Sequence, residues 1–216
     1  QLFSRNELSF NSNFKPIADE LQKIDHIAVL DGEIVVEDEN GKVYYPGSFL
    51  DVARSYGLLY DSLSAVMIRK VFERFQNIDD KSVSLNLSIR DIENAEITSY
   101  IFEFLSTTKH PENFVFEILE NEDISDYDEL ITFVDRIHDL GAQISIDDFG
   151  SGFSNLQHIA NIQSDYLKID GSIVRKCCED KKIENLIALI AGFKKISTRP
   201  IKIIAEFVEN EEIQQK

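Results

Sequence analysis

Cysteine, tryptophan, basic residues and long apolar runs are all scarce in this chain of 216 residues. The two cysteines, Cys177 and Cys178, are neighbours that cannot join distant segments, so no disulfide framework is expected. No apolar run approaches the length of a membrane span. These absences fit a cytoplasmic domain. The first residue is Gln rather than Met, which predicts a segment of a longer protein that could carry a membrane anchor upstream.

The deficit of basic residues narrows the range of ligands. Lysine and arginine number 22 against 39 aspartates and glutamates, which gives a net charge of −17. Polymeric DNA or RNA and anionic membranes would be repelled by such a chain, and we exclude them as partners. An anionic small ligand would therefore need metal ions to supply local positive charge.

The abundant apolar residues predict a single α/β domain. They make up 43% of the chain, which is enough for one core, so we expect one domain over residues 1–216. Residues 8–37 have the composition of an antiparallel hairpin. Beyond residue 58, helical patterns separate strand patterns at 81–88, 114–119, 143–147, 166–169 and 201–205. This alternation predicts parallel β-α units, whose sites form at the carboxyl ends of the strands.

Polar residues occur near the ends of these predicted strands. Asp147 and Asp148 precede the turn sequence Phe-Gly-Ser-Gly, and taken alone they favour a turn cap over a ligand site. Glu117 lies among apolar neighbours, where a carboxylate needs a partner. The residues expected to converge in a barrel are Asn86, Glu117, Asp147, Lys168 and Glu206.

This set of side chains suits divalent cations and phosphate chemistry. Carboxylate and carboxamide oxygens are ligands for Mg²⁺ or Mn²⁺, and two such ions can hold a phosphate and lower the pKa of a bridging water. Lys168 would orient that water or offset charge developing on the phosphate. The four histidines have no metal-ligand spacing, and we expect them to be ordinary surface or hairpin residues.

The sequence resembles a known family at several motifs. DDFGSGFSNL, DYLKID and IIAEFVEN occur in order, preceded by SLNLS and FEILE, and together they resemble the EAL family of cyclic-di-GMP phosphodiesterases from about residue 14 onward. The resemblance implies an α/β fold, a modified TIM-type barrel with an antiparallel first strand. The family's final Gln-Gly-Tyr strand is missing from this chain.

The resemblance also implies an activity, cofactors and partners. The reaction would be hydrolysis of cyclic di-GMP to linear pGpG with two Mg²⁺ or Mn²⁺ ions. A homodimer and upstream sensory or GGDEF-like domains would be expected. The implied metal ligands are Glu33, Asn86, Glu117, Asp147 and Asp148; the catalytic residues are Lys168, Glu206 and Asp170; Glu120 anchors the loop after Asp147, and Glu209 completes the outer shell.

The sequence departs from the family pattern in three places. It has no Glu-Ala-Leu triplet, and we assign the metal-binding glutamate of that motif to Glu33, with Asp31 and Ala28 as alternatives. In none of these registers does an Arg follow four residues later, where the family places one against a ligand phosphate. Phe207 replaces the glycine of the family's Glu-Gly-Val-Glu motif.

Three functional hypotheses remain open at this point. The first is an active phosphodiesterase, favoured by the retained metal shell. The second is a degenerate domain that binds cyclic di-GMP or a protein partner without hydrolysis, favoured by the missing Arg and the ambiguous first ligand. The third is an unrelated divalent-metal barrel hydrolase.

Overall fold

The computed structural model describes residues 36–37, 41–44, 58–120, 127–150, 161–195 and 199–215. The chain divides into two compact units, Gln1–Tyr56 and Gly57–Lys216. In the first unit, β1 (Val36–Glu37) pairs antiparallel with β2 (Val43–Tyr44). The rest of the hairpin predicted over residues 8–37 lies outside the described residues. The expectation of a single domain stays a prediction.

The second unit contains a five-stranded parallel sheet. Its strands, in both chain and spatial order, are β3 (Val83–Leu87), β4 (Phe114–Leu119), β5 (Gln143–Phe149), β6 (Tyr166–Ile169) and β7 (Lys202–Ala205). Each lies where alternation or an apolar run predicted a strand, so the α/β prediction is confirmed. The first strand of this sheet runs parallel to the second. The antiparallel first strand implied by the resemblance would contain Glu33, Asp31 or Ala28 at the motif position, and all three lie outside the described part of the chain.

Among the described residues, helices lie between β3 and β4, between β4 and β5, and between β6 and β7, as expected for parallel pairing. The described helices are α1 (Leu58–Phe75), α2 (Ile89–Ile92), α3 (Ala95–Thr107), α4 (Tyr127–Asp139), α5 (Gly171–Val174), α6 (Lys181–Ala191) and α7 (Glu211–Gln214). Two helices, α2 and α3, lie between β3 and β4. Asn94 separates them because its side chain caps α3, accepting hydrogen bonds from the backbone N–H groups of Glu96 and Ile97 at 3.0 and 3.3 Å.

The core of this unit lies between the sheet and its helices. Apolar residues of α4 recur at helical spacing and are buried: Leu130, Phe133, Val134 and Ile137. Between α1 and α3, the rings of Phe72 and Phe104 stack with their centroids 3.8 Å apart. Burial of such a side chain contributes about 1.5–3 kcal/mol to folding. The packing therefore fixes the strands whose carboxyl ends carry the polar residues.

Candidate metal and active site

A β-bulge at the carboxyl end of β5 brings two adjacent carboxylates together. Ile146 pairs with Leu167 and Phe149 pairs with Ile169, so Asp147 and Asp148 together oppose a single residue of β6. In a regular strand, neighbouring side chains point to opposite faces. Here Asp148 adopts φ 55°, the left-handed region, and the alternation is broken. The bulge thus places both aspartates at one site.

Lys168, the residue opposite the bulge, contacts three carboxylates. Its Nζ lies 3.0 Å from Oδ1 of Asp147, 2.9 Å from Oε1 of Glu206 and 3.4 Å from Oε2 of Glu117. These four side chains are only 12–20% exposed. We call Glu117, Asp147, Asp148, Lys168 and Glu206 the rim site.

The charges of the rim site are unbalanced. Burial raises the pKa of Glu117, and so does the charge of Asp147, while Lys168 opposes both effects. Burial likewise raises the pKa of Asp148, with further contributions from Asp147, Asp170 and Glu206. For Lys168, burial alone would lower the pKa, but hydrogen bonds to Glu206 and Asp147 outweigh it and raise the pKa above its ordinary range. One ammonium ion therefore does not neutralise the acids around it.

This arrangement fits a hard divalent cation. Asp147, Asp148 and Glu206 each offer an oxygen, and these oxygens all lie within 4.8 Å of one another. Carboxylate oxygens are the ligands that Mg²⁺ and Mn²⁺ prefer, and the raised pKa of Asp148 marks a surplus of negative charge that a cation would relieve. An acidic cluster of the predicted kind is therefore present.

One further predicted ligand, Asn86, shares a sheet face with the rim site. Asn86 on β3 is exposed and pairs in register with Glu117 on β4, which pairs with Ser145 on β5, two residues before Asp147. Side chains two residues apart lie on the same face of a strand. The candidates for the first ligand, Glu33, Asp31 and Ala28, lie outside the described residues.

The other predicted residues lie at the periphery. Asp170 caps α5, where its Oδ1 accepts a hydrogen bond from Ser172 N at 2.9 Å, and its charge reaches Asp148. Glu209 pairs with Arg175 at 3.7 Å and is not among the three acids whose oxygens converge. Glu120 accepts a hydrogen bond from the backbone N–H of Gly150, at the start of the loop that it was expected to anchor.

Sequence reasoning missed two features beside this site. The Ser84 hydroxyl hydrogen-bonds to Glu117 and opposes the rise of its pKa. Its position two residues before Asn86, on the same strand face, could have identified it. The second feature is the contact of Arg175 with Phe207, whose ring centroid lies 4.8 Å from the guanidinium carbon. No sequence pattern links these two residues, which lie on separate segments.

Fold and site together define an α/β domain with an acidic cluster at the carboxyl ends of its parallel strands. Residues 2–216 match the family model described as the EAL domain, and the chain belongs to this family. The resemblance of the sequence motifs is thereby confirmed. Among the described residues, no helix combines the length and apolar character needed to cross a membrane.

Curated relatives carry names that specify a substrate. Cyclic di-GMP phosphodiesterase PdeF of Escherichia coli K12 is 27% identical over 83% of this chain and 24% of its own length. Cyclic di-GMP phosphodiesterase PdeA of Borreliella burgdorferi is 29% identical over 83% of this chain and 27% of its own length. The chain thus spans about a quarter of these relatives.

Solved structures share the fold. The PaMucR phosphodiesterase in its c-di-GMP complex superposes with a TM-score of 0.70 at 25% identity, covering 80% of this chain and 76% of that one. The FimX EAL domain from Pseudomonas aeruginosa bound to c-di-GMP gives 0.72 at 20% identity, over 84% and 73%. The second likeness concerns the fold alone.

Proposed function

We propose that this domain hydrolyses cyclic di-GMP to linear pGpG in a reaction that requires Mg²⁺ or Mn²⁺, with two ions bound. The observation that carries the proposal is the convergence of Asp147, Asp148 and Glu206 around Lys168 at the carboxyl ends of β5, β6 and β7. The names of the curated relatives support the substrate, since they specify cyclic di-GMP phosphodiesterases.

The proposed roles follow from the chemistry of the side chains. Divalent cations at this site would supply an activated water and offset negative charge on the phosphate. We assign the cations to Glu33, Asn86, Glu117, Asp147 and Asp148, with Glu206 binding directly or through water, Asp170 and Glu209 in the outer shell, and Glu120 as the loop anchor. The water oxygen would form a bond to phosphorus while the P–O3′ bond breaks; one water proton ends on the released 3′ oxygen as a hydroxyl, the other stays on the phosphate or passes to solvent, and the phosphate remains on the 5′ oxygen of pGpG.

Lys168 acts in this scheme as a hydrogen-bond donor rather than as a base. Burial would lower its pKa, but in the metal-free protein hydrogen bonds to Glu206 and Asp147 outweigh burial and raise the pKa, which favours the protonated ammonium form. A fixed ammonium can hold the attacking water or a phosphate oxygen and stabilise the charge that develops there. It holds the acidic side chains in place at the same time.

Turnover of cyclic di-GMP tests this function directly. The purified chain should release pGpG in Mg²⁺ or Mn²⁺, detected by ion-exchange chromatography, and should release none in EDTA. Binding of the dinucleotide by calorimetry without any product would favour the receptor alternative. If neither binding nor product is found, the proposed substrate is wrong and a protein-binding role becomes the better account.

A pair of variants tests the assignment of the first ligand. Glu33→Ala should abolish metal-dependent turnover, whereas Asp31→Ala should leave most of it. The reverse result would move the ligand to Asp31. Homodimerisation and upstream sensory or GGDEF-like domains remain part of the proposal, and light scattering of the purified chain tests the first of these.

A further inference from the structure

Phe207, the residue after Glu206, is held in an unusual conformation beside the rim site. Its φ is 51°, in the left-handed region that bulky side chains avoid. The residue is 61% exposed, so burial in the core does not account for this conformation. Strained backbone that places a side chain in the open is a recurring property of ligand-binding sites.

Two residues of the preceding βα segment hold the ring in place. A Cβ atom added to Gly171 would overlap Cδ2 of Phe207, so the ring occupies space that only glycine leaves free. Arg175 places its guanidinium carbon 4.8 Å from the ring centroid, and the same Arg175 pairs with Glu209 at 3.7 Å. The ring is therefore positioned by specific contacts while most of its surface stays open.

We propose that Phe207 is a stacking platform for a purine base of the bound cyclic dinucleotide, with Gly171 and Arg175 as its positioning residues. The proposal rests on the proposed function, because it takes the rim site as the place where the phosphate reacts. In a nucleotide a single sugar separates the base from the phosphate. Phe207 directly follows Glu206 of the rim site, so a base can reach its ring while the phosphate lies at the rim site. An aromatic face binds any base without requiring positive charge, which suits a chain of net charge −17.

Substitutions at Phe207 separate stacking from simple packing. Phe207→Leu keeps apolar bulk but removes the aromatic face, and Phe207→Trp keeps an aromatic face. We expect the leucine variant to raise both the Kd for cyclic di-GMP, measured by calorimetry with Ca²⁺ in place of Mg²⁺, and the KM in Mg²⁺ by about 10-fold, from the typical strength of base stacking. The kcat should stay within about twofold, because the rim site is unchanged. The tryptophan variant should bind as the wild type does.

The variant Phe207→Gly is the control for an effect of the substitutions on folding. Phe207→Gly removes the ring and also relieves the left-handed backbone, so its melting temperature should equal or exceed that of the wild type. Its affinity should nevertheless fall as far as that of the leucine variant. Gly171→Ala should displace the ring and raise the KM in the wild-type background but have little effect in Phe207→Gly.

The outcomes distinguish this inference from the proposed function. If the wild type turns over cyclic di-GMP and Phe207→Leu has unchanged KM and Kd, Phe207 does not stack on a base, but the proposed function is still supported. If the wild type binds without hydrolysis, the Kd values alone decide on the platform. A wild type that neither binds nor hydrolyses the dinucleotide overturns the function, and the platform with it.

Discussion

The two ends of the parallel sheet both carry partly buried ionisable groups, but neighbouring donors balance the charge at one end and acids outnumber the cation at the other. At the carboxyl end, the rim site sets four acids against Lys168. At the amino end of β6, one acid has three donors: Asp165 contacts His138 Nε2 at 3.0 Å, Ile144 N at 2.9 Å and Arg199 at 3.3 Å. We call these four residues the basal network.

The pKa shifts show what this difference means. Burial would raise the pKa of Asp165, but His138, Ile144 N–H and Arg199 outweigh it and lower the pKa. The acids Glu117 and Asp148 of the rim site have raised pKa values because burial, together with repulsion from neighbouring carboxylates, prevails. An acid whose charge is balanced by hydrogen-bond donors stabilises the fold. Surplus negative charge at the carboxyl ends of strands is instead typical of a ligand-binding site.

Matched Asp-to-Asn substitutions at the two ends give the largest expected contrast. Asp147→Asn removes a carboxylate that we propose binds a cation, and we expect metal-dependent turnover of cyclic di-GMP to fall by at least about 100-fold, since a loss of about 3 kcal/mol is ordinary for such a ligand. Asp165→Asn should keep near-wild-type turnover but lose about 2 kcal/mol of unfolding free energy in urea, since hydrogen bonds to a charged group are lost. Equal turnover in both variants would contradict the distinction and the role given to Asp147.

Replacing the basic side chain at each end of the sheet gives the second contrast. Lys168→Gln leaves the acids of the rim site without a charged partner, so the metal-free protein should lose about 2 kcal/mol of unfolding free energy. Added Mg²⁺ should then raise its melting temperature by more than it raises that of the wild type. Arg199→Gln is the control: Arg199 is 41% exposed and Asp165 keeps its other donors, so a smaller loss is expected. A metal-free Lys168→Gln protein as stable as the wild type would show that Lys168 does not balance these charges.

The sequence predicted the strands and the clustering of polar residues at their ends. Alternation was sufficient for the strand of Asn86, because residue pattern and strand geometry share a period of two, and the short apolar run around Glu117 is typical of a buried strand. The bulge was not predictable, because the two-against-one pairing of Asp147 and Asp148 with Lys168 depends on the register between strands. No local pattern encodes that register.

Long-range pairing explains the errors as well. The expectation that His138 is an ordinary surface or hairpin residue is wrong: its side chain is 7% exposed and contacts Asp165, 27 residues away. Nothing in the spacing of the histidines indicates this pair. The pair of Glu209 and Arg175 is a further long-range contact that no local pattern indicates, since it depends on how the segment after β7 meets α5. The outer-shell role of Glu209 stays a prediction.

Titration of the metal-free protein gives the smallest expected effect and the sharpest test of the contrast between the two ends. Asp148 has a raised pKa in the folded state, so its protonation stabilises the fold; this contribution is present below the unfolded value of about 3.9 and is lost as pH rises through the raised value. Asp148→Asn, whose asparagine tolerates φ 55°, should therefore be more stable than the wild type at pH 7. That advantage should disappear as pH falls through the raised pKa.

Asp165 should behave with the opposite sign. Its lowered pKa contributes stability above the unfolded value, and this contribution is lost only as pH falls through the folded value. Asp165→Asn should thus be less stable than the wild type at pH 7, and the deficit should persist to a lower pH than the one at which the Asp148→Asn advantage disappears. Urea unfolding between pH 3 and 7 measures both differences. If Asp148→Asn and Asp165→Asn change the stability in the same direction at pH 7, the proposed contrast is wrong: the charges are not balanced at the amino end of the sheet and left in surplus at the carboxyl end.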